Sequence, residues 1–339
     1  MAARTRAQPP LHGACRVHRW CMGGACTLAQ DITNIDADRP PPHTWQAVRE
    51  DVLVAKQAVP YVRTVAELRA LTGAWRAAGE TVALVPTMGA LHDGHLSLVR
   101  SGQAACRRVV TSIFVNPAQF APTEDFGDYP RTFDSDLAKL ATAGCDLVWA
   151  PTADVMYPEG FATMITPKGA ALGLETDFRP HFFQGVATVC CKLFTQTQAD
   201  VAVFGQKDYQ QLCVIQQLVR DLDLPLSIIG AETVREADGL AMSSRNAYLD
   251  PAQRQVARHV SQALQTVAKA VREGRPAAAS CKSAADGLLA AGFASVDYLV
   301  VRDAGTLAEP LPGAAPGDLR VLVAAWLGKT RLIDNISCG

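Results

Sequence analysis

No apolar stretch in this chain approaches the roughly 18 residues that a membrane-spanning helix requires. The longest runs resemble "VLVAAWL" at 321–327 and fit buried strands, so no transmembrane segment is expected. An excess of one charge is also lacking: 32 Lys and Arg stand against 33 Asp and Glu. No global field then favours nucleic acid or an anionic membrane, neither is expected as a partner, and any anion site must be local. Ten cysteines occur but no C-x-x-C pair, and the adjacent Cys190 and Cys191 lie in an apolar stretch where thiols act as small hydrophobes. Reduced thiols in a cytoplasmic protein are the expectation. Cys15, Cys21 and Cys26, near His12 and His18, match no standard zinc spacing. The common phosphate-cradling signatures are missing too: there is no G-x-G-x-x-G, and "LGKT" at 327–330 lacks the upstream glycine of a P-loop.

What is present argues for a globular protein. A hydrophobic share of 49% over 339 residues is ample for a core and favours two domains. Residues 1–58 differ from the rest, with no acidic residue before Asp31, prolines at 40–42 and weak periodicity. They read as a disordered or loosely attached extension. From Thr64 the pattern is regular. Val65, Leu68, Leu71 and Trp75 have helical spacing, and "TVALV" (81–85) is a buried strand. The runs "VVTSIFV" (109–115), "DLVWA" (146–150), "VAVF" (201–204) and "LSIIG" (226–230) alternate with helical segments near 132–143, 186–197 and 207–222. Such alternation predicts an α/β, Rossmann-like parallel sheet over 59–233, with ligands at the carboxyl ends of its strands. Beyond it, an amphipathic helix through Val256, Val260, Leu264, Val267 and Val271, an alanine-rich helix and strands near 296–301, 319–325 and 330–336 predict a smaller α+β domain over 234–339.

The stretch "VPTMGALHDGHLSLV" (85–99) supplies a different phosphate grip. Gly89 lets the backbone approach a ligand closely, and a helix beginning near His92 to Gly94 points free N–H groups and its positive dipole end at an anion. His92 and His95, three apart on a first turn, share a face and can donate ring N–H bonds to phosphate oxygens. Lys207, after "FGQ" at a strand end, is a compact cation for phosphate oxygens. Ser243, Ser244 and Arg245 offer two hydroxyls and a planar fork. Gln119 and Gln211 can pair neutrally with hydroxyl and carboxylate groups.

The segment "PTMGALHDGH" resembles the nucleotide-binding motif of the H-x-G-H nucleotidyltransferase superfamily, and specifically that of the pantothenate synthetase (pantoate–β-alanine ligase) family. The resemblance runs from about Val62 to the carboxyl end through "SIFVNPAQF" (112–120), "DYPRTFDSDL" (128–137), "VFGQKDYQQL" (203–212), "READGLAMSSRNAYLD" (235–250) and "TRLIDNI" (330–336). It implies a cytoplasmic homodimer that joins pantoate to β-alanine using ATP and Mg²⁺, through a pantoyl adenylate, as a step toward coenzyme A. It further implies an ATP site at Pro86, Thr87, Met88, Gly89, Ala90, Leu91, His92, Asp93, Gly94 and His95, at Gly205, Gln206, Lys207 and Asp208, at Val234, and at Met242, Ser243, Ser244 and Arg245. Catalysis falls to His92, His95, Lys207, Ser243, Ser244 and Arg245. Gln119, Gln211 and Asn116 would take pantoate, Gln119 also β-alanine, and Asp136, with Asp208 beside it, is the magnesium-side candidate. One departure stands out. Where the family has R-P-G-H-F-x-G-V, this chain reads "RPHFFQGV" (179–186), with His181 one place early and Phe182 in the histidine position. The rival readings are a related nucleotidylyltransferase that transfers AMP to a phosphorylated acceptor and a catalytically weakened nucleotide-binding protein.

Overall fold

Each of the apolar runs becomes a strand. The computed structural model describes residues 59–120, 127 and 132–339; the extension over 1–58, with its Cys15, Cys21 and Cys26, lies outside the described residues. The strands β1 (Tyr61–Val62), β2 (Val82–Thr87), β3 (Arg108–Ile113), β4 (Leu147–Trp149), β5 (Val201–Gly205) and β6 (Ser227–Ala231) form one sheet in the order β1-β4-β3-β2-β5-β6. All its pairings are parallel. A parallel sheet is covered on both faces, which is why its central strands are continuous apolar runs: Val82 to Val85 are wholly buried. The two-residue β1 is too short to leave a periodic signal, so the sequence reading omits it.

The crossover helices are α1 (Val65–Ala77), α2 (Asp93–Ala105), α3 (Phe133–Thr142), α4 (Phe182–Thr197) and α5 (Tyr209–Asp221). α1 starts where a capping box says it should: the Thr64 hydroxyl accepts from the Glu67 N–H, and the Glu67 carboxylate accepts from the Thr64 N–H. α4 begins four residues earlier than its predicted 186, because "FFQG" (182–185) forms its first turn behind the N-cap His181. After β2 the chain moves to β3 on one side, and only after β4 does it cross to β5 on the other. The strand order thus reverses at β2, and the crevice beyond the carboxyl ends of β2 and β5 is the switch point where α/β sheets bind ligands.

The remainder is an antiparallel sheet of β7 (Ser295–Asp303), β8 (Leu319–Leu327) and β9 (Thr330–Ser337), with α6 (His259–Arg272) and α7 (Ala277–Ala290) packed on it. The periodic residues Val260, Leu264 and Val267 are fully buried there. The predicted α/β class with a smaller α+β portion is the observed architecture.

Candidate active site

β2 ends at Thr87, and the chain must then turn sharply into α2. Gly89 has φ +86° and Ala90 φ +50°, both left-handed. A Cβ on Gly89 would also stand 3.2 Å from the Asp136 carboxylate, so both conformation and space call for glycine. The strained Ala90 is held by that same buried carboxylate. Asp136 accepts from the N–H groups of Ala90 and Leu91, each at 2.9 Å, and from the Thr132 hydroxyl at 3.0 Å. The Lys139 ammonium donates to the Leu91 carbonyl at 2.7 Å. Asp136 is therefore a strut beneath the loop. Buried, with both oxygens engaged by backbone donors, it is not placed to coordinate magnesium.

His92 is the N-cap of α2, and its backbone N–H donates to His95 Nδ1 at 3.3 Å. Because Nδ1 accepts, the neutral His95 ring carries its proton on Nε2 and presents a donor. The rings lie 4.1 Å apart, and His92 folds against Gly94, where a Cβ would meet its ring at 2.9 Å. The glycine of H-x-G-H makes room for the first histidine. Burial, reinforced by the charge of Lys207, pushes His92 down to about 4; burial, then His92 and Lys207, pushes His95 down to about 3. Both rings are neutral donors at physiological pH, not cations. His92 Nδ1 is buried without a hydrogen-bond partner.

These depressed values predict an acid-labile fold. A group whose folded pKa lies below its ordinary 6.5 contributes stability that is present above pH 6.5 and lost as pH falls toward 4 and then 3. Urea midpoints should therefore fall over that window, and the loss should be shallower, by on the order of a few kcal/mol, in a His92→Asn/His95→Gln variant. Parallel profiles for the two proteins would refute the neutral-imidazole assignment.

A cavity of about 770 Å³ opens beyond these strand ends. Pro86, Thr87, Met88, His92, Gly94 and His95 border it, as do Gly205, Lys207, Asp208, Val234, Met242, Ser243, Ser244 and Arg245. Gly89, Ala90, Leu91, Asp93 and Gln206 shape the turns behind that wall and are not in it. Lys207 sits in the 3₁₀ turn Gln206–Asp208 after β5, with its ammonium 3.4 Å from the Asp208 carboxylate. The Ser243-to-Arg245 segment arrives from much further along the chain. It is pinned where the Ser244 hydroxyl donates to the Ala90 carbonyl at 3.0 Å, while Ser243 Oγ accepts from the Arg245 N–H.

Gln119 and Gln211 border the same cavity. Asn116 does too, yet it is almost wholly buried, and its four hydrogen-bonding positions are filled. Its Nδ2 donates to Gln119 Oε1 (3.1 Å) and the Gly185 carbonyl (3.2 Å), while its Oδ1 accepts from the Ala118 N–H (3.2 Å) and the Tyr157 hydroxyl (2.7 Å). Asn116 thus orients Gln119, whose Nε2 faces Met88 Sδ at 3.0 Å, and has no valence left for a ligand. His181 is exposed at the start of α4 and outside the cavity wall, whereas Phe182 lines it beneath the Arg179 guanidinium, 3.8 Å from the ring centroid. The displaced histidine does not reach the site; an arginine-capped aromatic takes its place. Arg179, Phe182 and Tyr157 are the residues that sequence reasoning missed. The "RPHFF" departure was the available signal for the first two, and Tyr157 had none.

Residues 60–337 match the family model described as Pantoate-beta-alanine ligase. The chain is 55% identical over 279 residues to the pantothenate synthetase of Caulobacter vibrioides, covering 82% of this chain and 98% of that one. The crystal structure of pantothenate synthetase from Thermus thermophilus is similar with a TM-score of 0.76 at 44% identity, covering 83% of this chain and 99% of that one. The pantoate-beta-alanine ligase of Francisella tularensis, complexed with beta-gamma ATP and beta-alanine, is similar with a TM-score of 0.70 at 30% identity, over 83% of this chain and 98% of that one.

Proposed function

We infer the activity from one premise, that this chain belongs to the pantoate-beta-alanine ligase family. It is an ATP-dependent ligase that condenses pantoate with β-alanine to pantothenate. The observation that carries this reading is convergence: the imidazole pair, Lys207, the Ser243-to-Arg245 segment and two glutamines, drawn from distant parts of the chain, border one cavity.

The chemistry explains the inventory. A carboxylate is a poor acylating agent, so pantoate first attacks the α-phosphorus of ATP; an O–P bond forms and pyrophosphate leaves. Two anions must meet in that step, and donors fixed in advance lower its barrier more than water can. We assign His95 Nε2–H and the Lys207 ammonium to the α-phosphate oxygens, and Ser243, Ser244 and Arg245 to the departing phosphates. A helix N-terminus at His92 adds its dipole. The β-alanine amine, as the free base, then attacks the acyl carbon; the C–N bond forms, AMP departs and the amine loses its proton. That step needs alignment and no enzyme nucleophile. Gln119 and Gln211 hold pantoate, with Gln119 presenting the polarity that Asn116 imposes.

Among the described residues no group of three or more His, Cys, Asp or Glu is arranged to hold a metal ion. We take Mg²⁺ to enter with the ATP phosphates and do not assign it to Asp136, whose oxygens accept from Ala90, Leu91 and Thr132. A homodimer acting in the cytoplasm, as the family resemblance implies, completes the proposal.

Omission assays separate this reading from adenylyl transfer to a phosphorylated acceptor. ATP–pyrophosphate exchange should require pantoate and proceed without β-alanine, and net AMP should accumulate only when both are present. Exchange without pantoate, or exchange that fails until β-alanine is added, would remove the pantoyl adenylate from the pathway.

A further inference from the structure

The turn that carries Lys207 is held from outside the parallel sheet. Asn335 lies on β9 and is nearly fully buried. Its Nδ2 donates to two consecutive carbonyls, those of Gln206 at 2.9 Å and Lys207 at 2.8 Å. Both amide hydrogens are thereby engaged by the backbone of one 3₁₀ turn. The amide cannot flip, because its Oδ1 accepts from Arg320 Nε. Arg320 also donates to Gln206 Oε1 at 3.2 Å and stacks 3.8 Å from the centroid of the Tyr209 ring, the residue that opens α5. The neighbouring Asp334 pairs with Arg235 at 2.6 Å, and Arg235 in turn donates to the Asn335 carbonyl at 3.2 Å. Arg235 stands at the head of the segment that delivers Ser243 to Arg245.

We propose that Asn335 is a positioning residue for adenylation: its amide, oriented by Arg320, fixes the backbone of Gln206 and Lys207 so that the Lys207 ammonium meets the phosphate under attack. A flexible lysine loses much of its value as a charge donor unless its root is fixed, since an error of about 1 Å at the reacting groups costs up to roughly a hundredfold in rate. The inference rests on the adenylation role given to Lys207. It makes the antiparallel sheet a working part of the nucleotide site.

The two half-reactions distinguish positioning from general loosening. In full-length enzyme, Asn335→Ala is expected to slow pantoate-dependent ATP–pyrophosphate exchange about tenfold, while amide formation from supplied pantoyl adenylate and β-alanine stays within about threefold of wild type. Asn335→Asp is the sharper arm. Nearly isosteric, it sets a carboxylate oxygen against two carbonyl oxygens, so it should be slower in exchange than the alanine variant. A packing role predicts the reverse order. Asn335→Ser, which keeps one donor, should fall between wild type and Asn335→Asp and serves if the alanine form does not fold. Equal losses in both half-reactions, or an aspartate variant at least as active as alanine, would overturn the proposal. Lys207→Ala is run beside them. If it exchanges normally, the reading of Lys207 fails and this inference with it; if it is slow while Asn335→Ala is normal, only the positioning claim fails.

Discussion

His95→Ala and Lys207→Ala are each expected to lower kcat for AMP formation by at least ~100-fold, a loss of ~2.7 kcal/mol or more in transition-state stabilisation. The size follows from where the donors sit. His95 is half-buried, neutral and anchored through Nδ1 by the His92 N–H, so it needs no reorganisation when negative charge develops at phosphorus. Lys207 is only 18% exposed, and its charge is felt strongly enough to help depress both imidazoles. A partly dry site magnifies such charges relative to water. The loss should appear in kcat and kcat/KM together, because a donor matched to the attacked phosphate acts mainly after binding. Near-normal turnover in both variants would end their assignment to the phosphate.

The main architecture was legible because a parallel sheet buried on both faces writes itself as apolar runs, and its helices as 3.6-residue periods. Both signals are local. The H-x-G-H turn was legible for the same reason, since glycine, strand end and histidine spacing are neighbours in sequence. Asp136 shows where local reading stops. A carboxylate in a "DSDL" run suggests a metal side, and only the fold reveals that its oxygens are taken by Ala90 and Leu91, more than forty residues away. Asn116 marks the same limit: its place after β3 suits it to support Gln119, which it does, but its further partners Tyr157 and Gly185 come from other elements. The bond from Ser244 to Ala90 spans 154 residues, and no spacing rule could have proposed it. The "RPHFF" departure was visible, while its consequence was not, because whether His181 or Phe182 faces inward depends on where α4 starts.

Among the described glycines, Gly185 is where an added methyl group, as in Gly185→Ala, should do most damage. The backbone of α4 runs so close to the turn Asn116–Gln119 that an added Cβ would stand 2.3 Å from the Ala118 carbonyl oxygen, 2.5 Å from its carbon and 2.7 Å from the Gln119 nitrogen. All three are backbone atoms, so no side-chain rotation relieves the clash. Ordinary contact at about 3.4 Å requires the helix and turn to part by roughly 1 Å, an overpacking that costs about 1–3 kcal/mol of stability. The same displacement strains the bond from Asn116 to the Gly185 carbonyl, one of the restraints that hold Asn116, and through it the amide of Gln119. Pantoate handling should therefore suffer beyond the stability loss: kcat/KM for pantoate falls about a hundredfold, the scale of a 1 Å misplacement, while ATP binding measured without pantoate changes little. Parallel losses for both ligands would mean that the variant is merely unfolding, and wild-type kinetics would mean that the close approach of α4 does not set the position of Gln119.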